Sequence, residues 1–380
     1  MRFLVFSGFL LSLLFSIATS HAQVIPAPAL TARAWLLMDY STGQVLASQE
    51  ADTRLEPASL TKVMTTYLVA EALRQKTLSL EQPVTVSERA WRTQGSRTFI
   101  PVNKTVTVDD LFKGMVIQSG NDASVALAEA IGGSEDAFAG MMNRTAQRMG
   151  LKDTNFLNAS GFFDNAAPTH YSTARDLAKL AAALIRDHPE THALHAMKEY
   201  TYNGIRQYNR NRLLWADPTV DGLKTGHSNA AGYCLIATSK RGPRRLISVV
   251  LGTANEDARA RDSLNLLNWG FTAHDTVKLY DKGQAISQLK VFKGKQNTVK
   301  AGFNEDFVIS VPRGMADKLT VQLESRQPLI APVILGSTVG TLKLAVNGQP
   351  WGDFPVVAVE DVPVAGLFGR AWDSIKLYFQ

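Results

Sequence analysis

Three short segments of this 380-residue chain hold side chains suited to acyl transfer. "EPASLTK" places Ser59 and Lys62 three residues apart at the start of an apolar run. Residues i and i+3 share a helix face, so the Lys62 amine reaches the Ser59 hydroxyl, and a helix N-terminus favours a developing alkoxide. A lysine acts as a base only when neutral. Burial and a second cation, Lys224, both disfavour its charged form. "QSGND" supplies Ser119 and Asn121 about 60 residues on, and "DGLKTGHS" supplies Lys224, Thr225 and Gly226, then His227, just before a predicted strand. Single matches are weak, because Ser287–Lys290 repeats the first spacing and Ser263–Asn265 the second. Order discriminates: both strays follow Lys224. Bland readings stand beside the chemical ones, with Ser59 as a helix cap, Lys62 as a solvated helix lysine, and Asn121 either as a cap of the helix "DASVALAEA" or as a substrate contact.

The elements that must position these groups read as follows. "AWLLMDYSTGQVLAS", residues 34–48, predicts two strands around a Ser-Thr-Gly turn. A helical middle follows, in "LTKVMTTYLVAEAL", "DDLFKGMVIQ", "DASVALAEAIG", "EDAFAGMMNRTAQRMG" and "TARDLAKLAAALIRD", with Thr107–Asp110 as a capping signal. "AGYCLIAT" and "RRLISVVLG" return to strand, and "DARARDSLNLLNWGF" reads as a closing helix. Strands at both ends of a helical middle predict one α/β lobe whose distant segments share a sheet. From His274 the chain turns to short Val-, Leu- and Phe-rich runs with an Asn347–Gly348 turn signal, as expected of a small all-β domain.

The N-terminal "MRFLVFSGFLLSLLFSIATSHA", residues 1–22, has the basic, apolar and small-residue regions of a cleaved export signal. The single cysteine, Cys234, rules out an intrachain disulfide and reads as a small buried hydrophobe. A net charge of +6 suits an anionic surface, but the basic residues are dispersed and no nucleic-acid motif occurs. The histidines, His170, His192 and His195 among them, have no metal-like spacing and read as structural or surface residues. In the final segment, Leu367, Phe368, Ala371, Trp372, Ile375, Tyr378 and Phe379 fall on one helical face, with Arg370, Asp373, Ser374 and Lys376 opposite. The last 16 residues reach only about 24 Å as a helix, short of a bilayer core, so the segment should lie on a membrane surface.

The ordered set Ser-x-x-Lys, Ser-x-Asn and Lys-Thr-Gly resembles that of the penicillin-binding proteins and serine β-lactamases. Within them, the "MDYSTGQVL" hairpin, "NRNRLLW" before "VDGLKTGH", the β domain and the terminal helix resemble low-molecular-mass D-alanyl-D-alanine carboxypeptidases. The resemblance implies an antiparallel sheet with helices (23–273), an all-β domain (274–362) and an amphipathic membrane-anchoring helix (363–380). It implies removal of D-alanine from peptidoglycan pentapeptides on the periplasmic face of the inner membrane, acylation by β-lactams, and no metal or organic cofactor. By the same resemblance Ser59 is the nucleophile, Lys62 its base and Ser119 a proton relay. Asn121 holds the substrate amide and Lys224, with Thr225 and Gly226, the substrate carboxylate. Backbone N–H groups of Ser59 and His227 form the oxyanion hole. Arg210 matches the family's arginine before Lys-Thr-Gly, though with one residue fewer between them. A β-lactamase and a penicillin-binding sensor without turnover are the alternatives; the Ser-Gly-Asn motif and the added β domain count against the first.

Overall fold

The computed structural model describes residues 25–378. The expected export segment, 1–22, and Phe379 of the terminal apolar face lie outside the described residues. Strand β1 (Ala34–Asp39) is buried at every position. Its side chains alternate between two cores: Leu36 and Met38 pack with Leu60, Met64 and Leu180, whereas Trp35 and Leu37 pack with Leu266 and Leu267. Alternation with both faces covered makes β1 an interior strand. Beside it lie β2 (Val45–Gln49) and, from two hundred residues downstream, β3 (Val220–Ser228), β4 (Gly232–Arg241) and β5 (Arg244–Thr253). The antiparallel order is β2-β1-β5-β4-β3. Helices α1 (Lys62–Arg74), α2 (Asn121–Gly132) and α3 (Ala174–Asp187) supply the layer on one side; α4 (Glu256–Ala273) covers the other. The capping signal at Thr107 operates, its Oγ1 accepting from the Asp110 N–H at 3.2 Å.

Two local expectations are corrected. Lys224, Thr225 and Gly226 lie inside β3, with Lys224 opposite Ile236, rather than ahead of a strand. Glycine here serves close approach, not a turn: a Cβ on Gly226 would stand 2.9 Å from the Pro57 carbonyl oxygen, so its absence lets β3 run against the turn bearing Ser59. Asn121 does not cap α2. It is the first helical residue, preceded by Gly120, and its side chain turns away from the helix start into the neighbouring cleft.

Helix α4 ends at Ala273 and the next strand begins at His274. The chain then builds a six-stranded sheet around Val299, Leu342, Val356 and their neighbours. Asn347 and Gly348, both left-handed at φ 50° and 76°, form the turn between Thr338–Val346 and Gln349–Ala358. The two bodies meet over a buried polar contact: Arg244 Nε donates to Asp39 Oδ2 at 3.2 Å, and the Ser310 hydroxyl donates to the same oxygen. Helix α5 (Leu367–Tyr378) closes the described chain. Asp373, on its polar side, is buried and accepts the Lys293 N–H at 2.7 Å, while Leu367, Phe368 and Trp372 remain exposed. No helix among the described residues is long and apolar enough to cross a membrane.

Candidate active site

Ser59 sits in a 3-10 turn, Ala58–Thr61, that runs directly into α1, and its hydroxyl opens into a cleft of about 450 Å³. The turn is held from behind. The Thr61 hydroxyl bonds His170 Nε2 at 2.8 Å, and His170 Nδ1 accepts the Leu157 N–H at 3.0 Å, so the ring is the Nε2–H tautomer. Burial pushes this histidine down to about 4, which keeps it neutral.

Lys62 is fully buried and donates to three oxygens: Ser59 Oγ at 3.0 Å, Asn121 Oδ1 at 2.7 Å and the Ser160 carbonyl at 2.8 Å. Burial is the largest influence on it and lowers its pKa to about 7; Arg210 lowers it further, against Asp122 and Glu135, which raise it. Arg210 is thus a cation acting on Lys62 to which the sequence did not point, and Lys62 and Lys224 also repel each other. A neutral amine has two N–H bonds and one lone pair. With Asn121 and Ser160 taking the two N–H groups, the lone pair is left facing the Ser59 hydroxyl.

Lys224 is also buried, its Nζ donating to the Thr225 carbonyl at 3.1 Å. Burial first, then Lys62, Arg210 and Arg259, hold it well below the usual lysine range. Lys62 and Lys224 therefore stand behind the cleft wall. Ser59, Ser119, Asn121, Arg210, Thr225, Gly226 and His227 line it directly. Ser119 adopts a left-handed conformation, φ 70°, and its buried Oγ has no hydrogen-bond partner among the described residues. Such strain costs of order 1–3 kcal/mol and collects where an orientation is needed. Arg210 donates from Nε to the Gln118 carbonyl at 3.3 Å. His227 packs its ring on Tyr233, with centroids 3.9 Å apart, and both residues line the cleft. The strays separate: Ser287 and Lys290 lie on a β-strand, where i and i+3 point to opposite faces, and Ser263 is buried in α4.

Sequence reasoning missed the third wall. Residues 158–164 are anchored by Asn158 Oδ1, which accepts from the Ser160 and Gly161 N–H groups, and by Glu135 Oε1, which accepts the Ala159 N–H. This folds the Ser160 carbonyl onto Lys62. Gly161, φ 72°, is required there, since a Cβ would fall 1.9 Å from the Ala58 carbonyl oxygen. The "NASG" turn signal was the visible trace. Arg259 was also missed; it donates to the Gly226 carbonyl at 3.2 Å and holds β3 in place.

A family model described as D-alanyl-D-alanine carboxypeptidase matches residues 20–255, more than half of the chain. The chain belongs to the D-alanyl-D-alanine carboxypeptidase family. A second model, the C-terminal domain of penicillin-binding protein 5, matches residues 274–364. D-alanyl-D-alanine carboxypeptidase DacC of Escherichia coli (strain K12) is 43% identical over 370 residues, covering 95% of this chain and 92% of that protein. The crystal structure of penicillin binding protein 5 from Haemophilus influenzae superposes with a TM-score of 0.81 at 39% identity, over 89% of this chain and 99% of that one. Penicillin-Binding Protein D2 from Listeria monocytogenes in its ampicillin-bound form matches with a TM-score of 0.60 at 33% identity, over 65% of this chain and 100% of that one. This family member thus has the penicillin-binding protein fold, an α/β catalytic domain followed by an all-β domain.

Proposed function

We propose that this family member releases the terminal D-alanine of peptidoglycan pentapeptides through an acyl-enzyme on Ser59. The observation that carries the reading is the Lys62 amine, buried, lowered to about 7, and left with one lone pair 3.0 Å from Ser59 Oγ. Lys62 takes the Ser59 proton as Oγ attacks the penultimate D-alanine carbonyl. The oxyanion faces the backbone N–H groups of Ser59 and His227. The unpartnered Ser119 hydroxyl is placed to pass a proton toward the departing D-alanine amine. Asn121 orders Lys62 and contacts the substrate amide. Lys224 and Arg210, with Thr225 and Gly226, supply positive charge and hydrogen bonds to the substrate carboxylate, whose arrival favours the charged form of Lys224. Water then cleaves the ester, with Lys62 again as base. β-Lactams acylate the same serine, in keeping with the ampicillin-bound form of the Listeria relative.

Export by residues 1–22 and attachment to the periplasmic face of the inner membrane complete the reading, with a catalytic body over 23–273, a β domain over 274–362 and an anchoring helix over 363–380. The exposed Leu367, Phe368 and Trp372 support surface attachment. Measuring D-alanine release from a pentapeptide beside penicillin hydrolysis tests the reading. Release with slow hydrolysis is expected. Fast hydrolysis without release would make the chain a β-lactamase, and acylation with neither would make it a sensor.

A further inference from the structure

The β domain carries a second apolar surface beside α5. Ile330, Ile334 and Leu335 are 48%, 64% and 55% exposed within six residues of one loop. Three contacts place that loop at the edge where the terminal helix docks. Ile330 pairs with Phe292, next to the Lys293 whose N–H binds Asp373 of α5. Val333 exchanges both backbone hydrogen bonds with Val362, at 3.0 and 2.8 Å, just ahead of the helix. A shallow cavity lined by Ala331, Val364, Leu367 and Ala371 lies between loop and helix.

Cations predominate on this edge. Lys290, Lys293, Lys295 and Arg370 form no ion pair among the described residues. Of the neighbouring acids, Glu360 pairs with Lys300 at 3.3 Å, while Asp361 and Asp373 accept the Leu335 and Lys293 N–H groups and Asp373 is buried. Exposed aliphatic side chains flanked by unpaired cations, continuous with an exposed amphipathic helix, match the chemistry of an anionic lipid interface, where apolar groups enter the acyl boundary and cations meet head groups.

We propose that the loop 330–335 is a second membrane contact, through which the β domain beds on an anionic lipid surface alongside α5. This rests on the membrane reading of the helix given above. Two contacts on different elements fix the tilt of the β domain, and with it the height and facing of the Ser59 cleft; a terminal helix alone would leave the domain free to swing.

The test uses the mature full chain and vesicles of phosphatidylglycerol with phosphatidylcholine. Ile334→Ser/Leu335→Ser should weaken vesicle partitioning by at least about tenfold while leaving the melting temperature and penicillin acylation unchanged. Separately, Leu335→Cys carrying a polarity-sensitive fluorophore should shift to the blue on these vesicles; Cys234 is buried and stays unlabelled. Phe368→Cys, labelled in the same way, reports the helix. A blue shift at 368 without one at 335, or wild-type partitioning of the double variant, overturns the loop contact and leaves the helix reading standing. Failure of the unaltered chain to bind vesicles overturns both.

Discussion

The acid limb of acylation is the most exacting consequence of the Lys62 environment. If the neutral amine is the base, the rate at saturating penicillin follows its neutral fraction. With Lys62 at about 7, that fraction falls from about nine-tenths at pH 8 to about one-thirtieth at pH 5.5, so the saturated rate should fall about thirtyfold. Working at saturation matters, because a charged Lys224 favours binding of an anionic ligand, and its protonation would mask the loss in a second-order constant. Stopped-flow acylation from pH 5 to 9 measures the limb. A rate flat across that range, or a Lys62→Ala variant acylating at a near-normal rate, would refute Lys62 as the base. The sign for stability is fixed by the same shift. The unfolded lysine, at its ordinary 10.5, binds a proton that the folded one releases, so the Lys62 contribution favours the fold less and less as pH falls from 10.5 to about 7, and is level below that.

Further perturbations follow from the same geometry. Asn121→Ala removes the acceptor for one Lys62 N–H, freeing the amine to rotate, and should slow acylation roughly tenfold to a hundredfold; an unchanged rate constant would leave Asn121 as a substrate contact only. Gly161→Ala forces a Cβ to within 1.9 Å of the Ala58 carbonyl oxygen at a positive φ, so acylation should be lost and the melting temperature lowered, as penicillin labelling and calorimetry would show. Lys224→Ala should reduce D-alanine release more than Lys224→Arg, because a charge is needed opposite the carboxylate. Equal losses would make geometry the requirement.

The side-chain chemistry was legible because each motif is short and its partners lie on adjacent turns: Ser59 and Lys62 share one face of a helix start, and the order of the three motifs separates them from Ser287 and Ser263. That the first strands share a sheet with strands from beyond the helical middle was likewise legible, from apolar runs at both ends; which strand pairs with β1 was not. What escaped is backbone chemistry and long-range packing. The Ser160 carbonyl that fixes the Lys62 lone pair belongs to no side chain, so only the glycine that admits it left a trace. Arg259 reaches the cleft from a helix read simply as a closing element, and no local pattern marks it. Lys224, Thr225 and Gly226 were placed ahead of a strand, not within β3, because a glycine used for close approach to the Pro57 carbonyl weakens the local strand pattern. Asp373 was placed with the polar residues of its helix, yet it is buried and accepts a tertiary hydrogen bond from the Lys293 N–H.

The central claim is that Ser59, activated by Lys62, forms the covalent intermediate. Intact-protein mass spectrometry over a time course with labelled penicillin, followed by peptide mapping, tests it most directly. The account predicts one adduct per chain, located on Ser59, absent from Ser59→Ala and formed several orders of magnitude more slowly in Lys62→Ala, with both variants folded. An adduct on Ser287 or Ser263, or labelling that persists in Ser59→Ala, would contradict it.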